Sequence, residues 1–504
     1  MIKLTTLFLL LLETYNLLGN NINKEYTLWY NRPAFNRGGD FTYPVARGYP
    51  YDEDWERWSL PIGNGSMGAC IFGRTDIERI QLSEKTLGNK GPYQFGGFTN
   101  FAEIYIDVNH NYSKNYKRTL NLNEAISTVN YQYENVEYTR EYFANYPSQI
   151  IAVKLKADKP GMISFTIRPT IPYLKPFDKE QNGRSGHVQV LPGLITMTGN
   201  IQYYDLDYEA QIKIVNYNGT LTCKNENKQN GIIEVTDADS VVLYITAATS
   251  YQLQENVFLR PNTAKFKGNV HPHSLITNRI KEAVGKGYEF LRKEHIVDYQ
   301  YFFNRVDLQL TDRIPAIPTD KLLSQYRSGK HDTYLEELFF QYGRYLLIAS
   351  SRNGSLPANL QGVWTQYDFS PWSGGYWHNI NIQMNYWHVF NTNLSELFNP
   401  YMEYNETFRK AGVQKAIDYI TRHNPTALNP INEENGWTIG TGATAFNIEA
   451  PGGHSGPGTG GFTTKLFWDY YDFTRDTQLL KEHVYPALLG ISKFLSKTLK
   501  EQPD

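Results

Sequence analysis

Asn379 and Asn381 are the residues of this chain whose type and spacing best suit holding a small nucleophile. They lie in the run Pro371-Trp372-Ser373-Gly374-Gly375-Tyr376-Trp377-His378-Asn379-Ile380-Asn381-Ile382-Gln383-Met384-Asn385-Tyr386-Trp387, which gathers three tryptophans, two tyrosines, three asparagines, a glutamine and a histidine with no charged side chain. Such a run makes poor core, because every buried amide must find a hydrogen-bond partner. It makes an odd surface too, because a surface would carry Lys and Glu in place of Trp. Flat apolar rings beside neutral donors and acceptors suit a ligand with apolar faces and many hydroxyls, which describes a sugar. An aromatic-rich helix junction is the competing reading.

The spacing narrows the chemistry. Residues two apart share a face in extended chain and point about 200° apart in a helix. If both amides act on one target, they lie on an extended approach to a helix that starts near Ile382. An amide has no useful pKa, so neither Asn can be a general base. Two carbonyl oxygens can still orient one water, provided a carboxylate elsewhere takes its proton. Capping the following helix is the other role open to the pair. His378, Gln383 and Asn385 of the same run, with Trp364, Trp437, Thr438 and His454 from loops on either side of it, are candidates to line the sugar pocket or to support it without touching ligand.

Helices must position this stretch. Beyond about His331 the apolar spacing is helical: Leu335, Leu338, Phe339, Tyr342, Leu346 and Ala349 form one stripe. Further helices are predicted over about Tyr401–Arg422, Phe462–Phe473 and Leu479–Leu499. Between them run two long polar loops, Ser350–Trp364 and the glycine-rich segment holding Gly436–Gly440 and His454–Gly460. Helices joined by long loops of this kind predict an α/α toroid with the site on its loops.

Upstream, Tyr26 to about Thr249 reads as many short strands without helices, which predicts a large antiparallel sandwich. The glycine-rich turn Leu60–Gly73 is either a tight hairpin or a loop reaching the other domain. Glu84 is a candidate site carboxylate or a hydrogen-bonded turn residue. Around residue 275 the spacing turns helical and predicts a linker helix, followed by a short strand from Val306 to Leu310. His295 and Asp298 lack a third ligand nearby, so packing at a domain junction is expected of them.

The whole-chain figures exclude other classes. With 504 residues the chain is long enough for more than one domain, and a net charge of −2 gives no reason to expect nucleic acid or an anionic membrane as partner. Lys3 followed by the apolar run Leu4–Leu12 reads as an export signal, too short to span a bilayer, so a secreted or periplasmic location is expected. Cys70 and Cys223 are open to pairing after export, although Cys70 in its apolar run reads better as a buried free thiol. No metal cluster or nucleotide loop is convincing, so no cofactor is expected.

Several of these motifs, in this order, carry a likeness: Leu60–Gly73, Ile80–Pro92, Arg140-Glu141-Tyr142-Phe143-Ala144, Asp298–Val306, Ser350–Trp364, Asn379–Trp387 and Phe467–Asp476. From about Leu28 to its last residue the chain resembles glycoside hydrolase family 95, the inverting exo-acting α-L-fucosidases, some of which prefer α-L-galactose. The resemblance implies an N-terminal β super-sandwich, a helical linker and an (α/α)6 barrel. Here that gives a signal peptide over 1–22, a β-sandwich domain over 23–275, a linker of helix plus short strand over 276–330, and a partial barrel over 331–504. It further implies an acid glutamate and a base aspartate about 6.5–9.5 Å apart, with water held by the two asparagines that match Asn379 and Asn381.

Two departures stand out. Gly88 occupies a position where the family usually has Trp, which would remove an aromatic wall. The chain also ends before the segments that carry the two carboxylates in the family, so the 504-residue product is expected to be a fragment and inactive. Two other readings stand beside an α-L-fucoside or α-L-galactoside hydrolase acting on glycans. One is a phosphorylase of related fold, which a cluster of Arg or Lys beside the Asn pair would favour. The other is a carbohydrate-binding protein without catalysis.

Overall fold

Strands such as Ile150–Ala157 and Ser240–Thr249 are β-branched or apolar nearly throughout and are buried on both faces for most of their length, which marks them as central. Ile163–Thr170 instead alternates buried and open positions, as a half-covered strand should. In the computed structural model, which describes residues 24–36, 52–91, 94–174, 183–225, 230–452 and 454–499, these strands form two large sheets. The predicted export signal lies outside the described residues.

The first sheet has nine strands in the order Thr27–Tyr30, Lys114–Asn121, Ile126–Tyr133, Val136–Asn145, Ile150–Ala157, Ser240–Thr249, Leu206–Tyr217, Leu194–Ile201 and Arg184–Leu191. The second has seven, from Thr220–Asn225 through Gly231–Ala238, Ile163–Thr170, Ala102–Asp107, Ile77–Glu84 and Met67–Ile71 to Leu60–Gly63. Neighbouring strands pair antiparallel in both. The expected super-sandwich is therefore present. Its core also buries charge: the Arg79 guanidinium lies 2.6 Å from Asp52 and 2.7 Å from Glu103, all three almost wholly enclosed. Burying such ions is tolerable only because each is paired and hydrogen-bonded.

Two helices, α1 (His273–Lys286) and α2 (Tyr288–Phe303), follow the sandwich and lie against the nine-stranded sheet. His295 of α2 is buried, with Nε2 donating to the carbonyls of Glu124 and Ala125, and Asp298 pairs with Arg352 at 2.6 Å. Both residues thus act at the junction, as expected. The segment 306–310 does not form the expected strand. Its neighbourhood supplies side-chain partners in place of a neighbouring strand: the Glu337 carboxylate accepts the backbone N–H groups of Leu310 and Thr311, and Asp307 accepts the Tyr26 hydroxyl.

Helices α3 (Thr319–Arg327), α4 (Thr333–Ser350), α5 (Asn381–Tyr386), α6 (Asn399–His423), α7 (Thr459–Thr474) and α8 (Tyr485–Thr498) make the rest. The buried face of α4 differs from the apolar stripe read in the sequence. Phe339 is 78% exposed, whereas Glu337, Gln341 and Arg344 are buried. The reason is electrostatic: Arg344 donates to the carbonyls of Phe302, Phe303 and Val306, and Gln341 to that of Val306. The covered face is the one that satisfies the linker's backbone. No helix among the described residues is long and apolar enough to cross a membrane.

Candidate active site

The site stretch is shaped by what surrounds it. The loop before it is strapped to the sandwich: Gln81 Nε2 donates to the Thr365 carbonyl at 2.6 Å, the Thr365 N–H to Ser83 Oγ at 3.0 Å, and the Ser370 N–H to the Phe98 carbonyl at 3.0 Å. The stretch itself runs beside the loop 441–443, with the Tyr376 and His378 N–H groups donating to the carbonyls of Ala443 and Thr441, each at 2.8 Å. Trp372, Ser373 and Trp377 adopt φ of 48°, 63° and 39°. Large residues avoid this left-handed region, and holding them there costs on the order of 1–3 kcal/mol each. Such strain persists only where the surroundings enforce it.

Asn379 and Asn381 are both exposed. The backbone around them is not the extended approach that the spacing suggested. Residues 378–380 form a turn closed by the Asn381 N–H on the Trp377 carbonyl at 3.1 Å, and α5 begins at Asn381. The sharp reversal at Trp377 brings the chain into the helix one residue early. Among the described residues neither Asn side chain has a hydrogen-bond partner, so neither caps α5. Beside them Ile380, Met384 and Trp387 are also open, the last 44% exposed. The two amides therefore stand free beside apolar surface.

The other predicted residues fall into three groups. His454 is exposed. Trp364, Trp437 and Asn385 spend their donors on the protein: Trp364 Nε1 on the Ile62 carbonyl at 2.8 Å, Trp437 Nε1 on that of Ala487 at 3.1 Å, and Asn385 Nδ2 on those of Ala358 and Asn359. The indole of Trp364 explains the glycine-rich turn. A Cβ on Gly68 would fall 2.7 Å from its ring, so the tight hairpin and the contact with the helical part are one feature.

His378, Gln383 and Thr438 are fully buried yet each keeps one polar atom without a partner: His378 Nε2, Gln383 Oε1 and Thr438 Oγ1. His378 donates or accepts through Nδ1 with Thr463 Oγ1 at 3.0 Å, and burial drives its pKa down to about 3, so the ring stays neutral. Gln383 Nε2 donates to the His378 carbonyl at 2.6 Å.

Two features escaped the sequence. Thr441 adds a fourth buried polar atom without a partner, its hydroxyl, beside His378; a lone Thr carries no spacing signal. Phe446 fills the space over Gly88, so an aromatic wall stands there, supplied by another loop. Its ring stacks on Tyr204 at 4.5 Å. Glu84, the candidate carboxylate, is buried and accepts from the Thr86 N–H and hydroxyl, and burial lifts its pKa to about 7. Among the described residues no group of three His, Cys, Asp or Glu could hold a metal ion. Both cysteines are unpaired, with Cys70 buried and its thiol pushed up to about 12.

The fold is thus a super-sandwich followed by helices, with the candidate site on the helical loops. A solved structure described as a putative kojibiose phosphorylase from the human microbiome shares it with a TM-score of 0.53 and 11% identity, over 86% of this chain and 56% of that one; at that identity the likeness speaks for the fold alone. The helical part is accordingly the first part of an (α/α)6 toroid. Residues 287–504 match the glycosyl hydrolase family 95 catalytic domain. Residues 28–94 and 88–254 match the N-terminal domain of glycosyl hydrolase family 65. Alpha-L-fucosidase 2 of Arabidopsis thaliana is 28% identical over 92% of this chain, and Probable alpha-fucosidase A of Aspergillus niger 28% over 88%. The chain spans 60% and 59% of the length of these two relatives.

Proposed function

We propose that this chain belongs to an exo-acting glycoside hydrolase that removes terminal α-L-fucose or α-L-galactose from glycans with inversion. The observation that carries the reading is the pair of exposed, unpartnered amides at Asn379 and Asn381, set beside open apolar surface in a segment locked by hydrogen bonds. In this reading the two carbonyl oxygens share one O–H of a single water, which leaves its second O–H for a base carboxylate and a lone pair for the anomeric carbon. The new C–O bond forms as the glycosidic C–O bond breaks. The water's proton passes to a base carboxylate and an acid carboxyl protonates the leaving oxygen. Amides cannot perform either proton step, so Asn379 and Asn381 are assigned the water alone. His378, Gln383, Asn385, Trp364, Trp437, Thr438 and His454 are proposed as pocket and support. Names of the relatives favour fucose, without deciding against galactose.

The test is calorimetry with L-fucose and L-galactose on the chain and on Asn379→Ala and Asn381→Ala, with turnover of an α-L-fucosyl substrate followed by NMR. Binding lost in the variants, or β-L-fucose as first product abolished by them, supports the reading. Binding by neither sugar, or variants that behave as the parent, refutes it. Binding without turnover in any longer form of the protein would instead favour a carbohydrate-binding role. The same proposal places the protein outside the cytoplasm, on the strength of Lys3 and Leu4–Leu12; N-terminal sequencing of the exported product checks it.

A further inference from the structure

A second chamber lies away from Asn379 and Asn381, where the sandwich, α1, the loop after α4 and the outer side of α6 meet. Its volume is about 540 Å³, within the range of small-molecule pockets. No residue of the run 371–387 lines it. Among its lining residues is Glu84, 5% exposed, at the end of the strand Ile77–Glu84. Both Thr86 hydrogen bonds fall on Oε2, which leaves Oε1 without a protein partner on the chamber wall.

Arg279 of α1 faces the same space half-buried, and no described residue gives its guanidinium an ion pair or hydrogen bond. The charges of Glu84 and Arg279 act on one another, yet the two do not touch. A buried carboxylate and a guanidinium that sense each other without closing an ion pair leave a gap that a ligand can bridge. Glu403 of α6, an exposed residue, also lines it, its carboxyl likewise without a protein partner. Leu253 and Leu356 add apolar wall.

The lining decides the ligand class. An anion would meet the carboxyls of Glu84, Glu403 and Glu406 against Arg279 and Lys85, and the Lys85 ammonium is already committed to the carbonyls of Ser350 and Leu356. A cation would meet Arg279. A ligand whose groups both donate and accept satisfies each wall: hydroxyls donate to the carboxyls and accept from the guanidinium, while C–H faces rest on the leucines. We propose that this interdomain chamber binds a neutral monosaccharide, bridged between Glu84 and Arg279 with Glu403 in the lining. The site is separate from the one assigned to hydrolysis, and it stands whether or not the hydrolytic reading does.

The experiment is hydrogen–deuterium exchange with L-fucose and D-galactose as probes and inorganic phosphate as the contrasting anion. It is run on the parent chain, Arg279→Met, Glu403→Gln and Asn381→Ala, each checked for an unchanged melting temperature. The expected result is slowed exchange at 84–86 and 247–253 on adding sugar, an apparent affinity about tenfold weaker in Arg279→Met, a smaller loss in Glu403→Gln, and an unchanged signal at these segments in Asn381→Ala. Sugar protection confined to 376–387, equal affinity in Arg279→Met, phosphate protecting these segments in place of sugar, or no protection with either sugar would each overturn the proposal. Ligand-observed NMR on the same variants supplies an affinity readout should a variant shift its melting temperature.

Discussion

The ring of Phe446 lies where a side chain on Gly88 would begin: a Cβ at position 88 would fall 2.2 Å from Phe446 Cε2. One aromatic thus stands in place of another, delivered from the helical part across the domain boundary. Gly88→Ala is expected to destabilise by about 1–3 kcal/mol through overpacking, and Gly88→Trp by more. Phe446→Ala alone should cost about 3–5 kcal/mol, since the ring is buried against Tyr204 and Phe266. The double variant Gly88→Trp with Phe446→Ala should be clearly more stable than the sum of the two losses. Urea unfolding of the four proteins reads the coupling directly.

Acid should weaken the fold through two histidines. Burial drives His378 to about 3 and His295 to about 4, against about 6.5 in the unfolded chain. A group whose folded pKa is depressed binds fewer protons when folded. Each therefore gives stability that is fully present above about 6.5 and is lost as pH falls toward its folded value, at about 1.4 kcal/mol per pH unit. The urea midpoint should drop between pH 7 and pH 4.5, and His295→Gln should flatten that slope; a midpoint independent of pH in this window would exclude the effect.

Glu84 acts with the opposite sign. Its folded pKa of about 7 lies above the unfolded one, so folding takes up a proton and stability falls as pH rises from about 4.5 to about 7. Glu84→Gln keeps the acceptor for the Thr86 N–H and removes the buried charge. It is expected to match the parent near pH 4.5 and to exceed it at pH 8, where differential scanning calorimetry would show the gain.

Arg79 holds two carboxylates inside the sandwich. Arg79→Met should cost about 3–5 kcal/mol at neutral pH, because Asp52 and Glu103 are left enclosed without their partner. Part of the loss should be recovered at low pH, where the carboxyls protonate. Thermal melts at two pH values measure both.

Asn381→Ala should separate function from folding. Its side chain is exposed and has no protein partner, so the change in stability should stay within about 0.5 kcal/mol. L-fucose binding should nonetheless fall. A melting temperature that drops with the affinity would make the residue a structural one.

Much of the fold could be read from residue patterns, because strands and helices announce themselves through local spacing. The alternation in Ile163–Thr170 and the unbroken apolar run of Ser240–Thr249 are examples. Reading failed where a partner far along the chain overrode local preference. The strand expected at 306–310 gave way to Glu337, and the stripe of α4 rotated toward the carbonyls that Arg344 satisfies. Around Asn379 and Asn381 the expected extended backbone did not form, because the turn at Trp377 depends on the loop 441–443. Phe446 was invisible for the same reason: nothing near it in the chain points to Gly88.

The straps from Ser83, Gln81 and Phe98 to the loop 365–370 have a wider consequence. The sandwich supplies the fixed surface against which the loop 365–370 sets. Gln81 and Ser83 of the strand Ile77–Glu84 thereby help to set the shape of a loop far along the chain, and grafting the helical part onto a foreign scaffold would transfer its sequence without that shape.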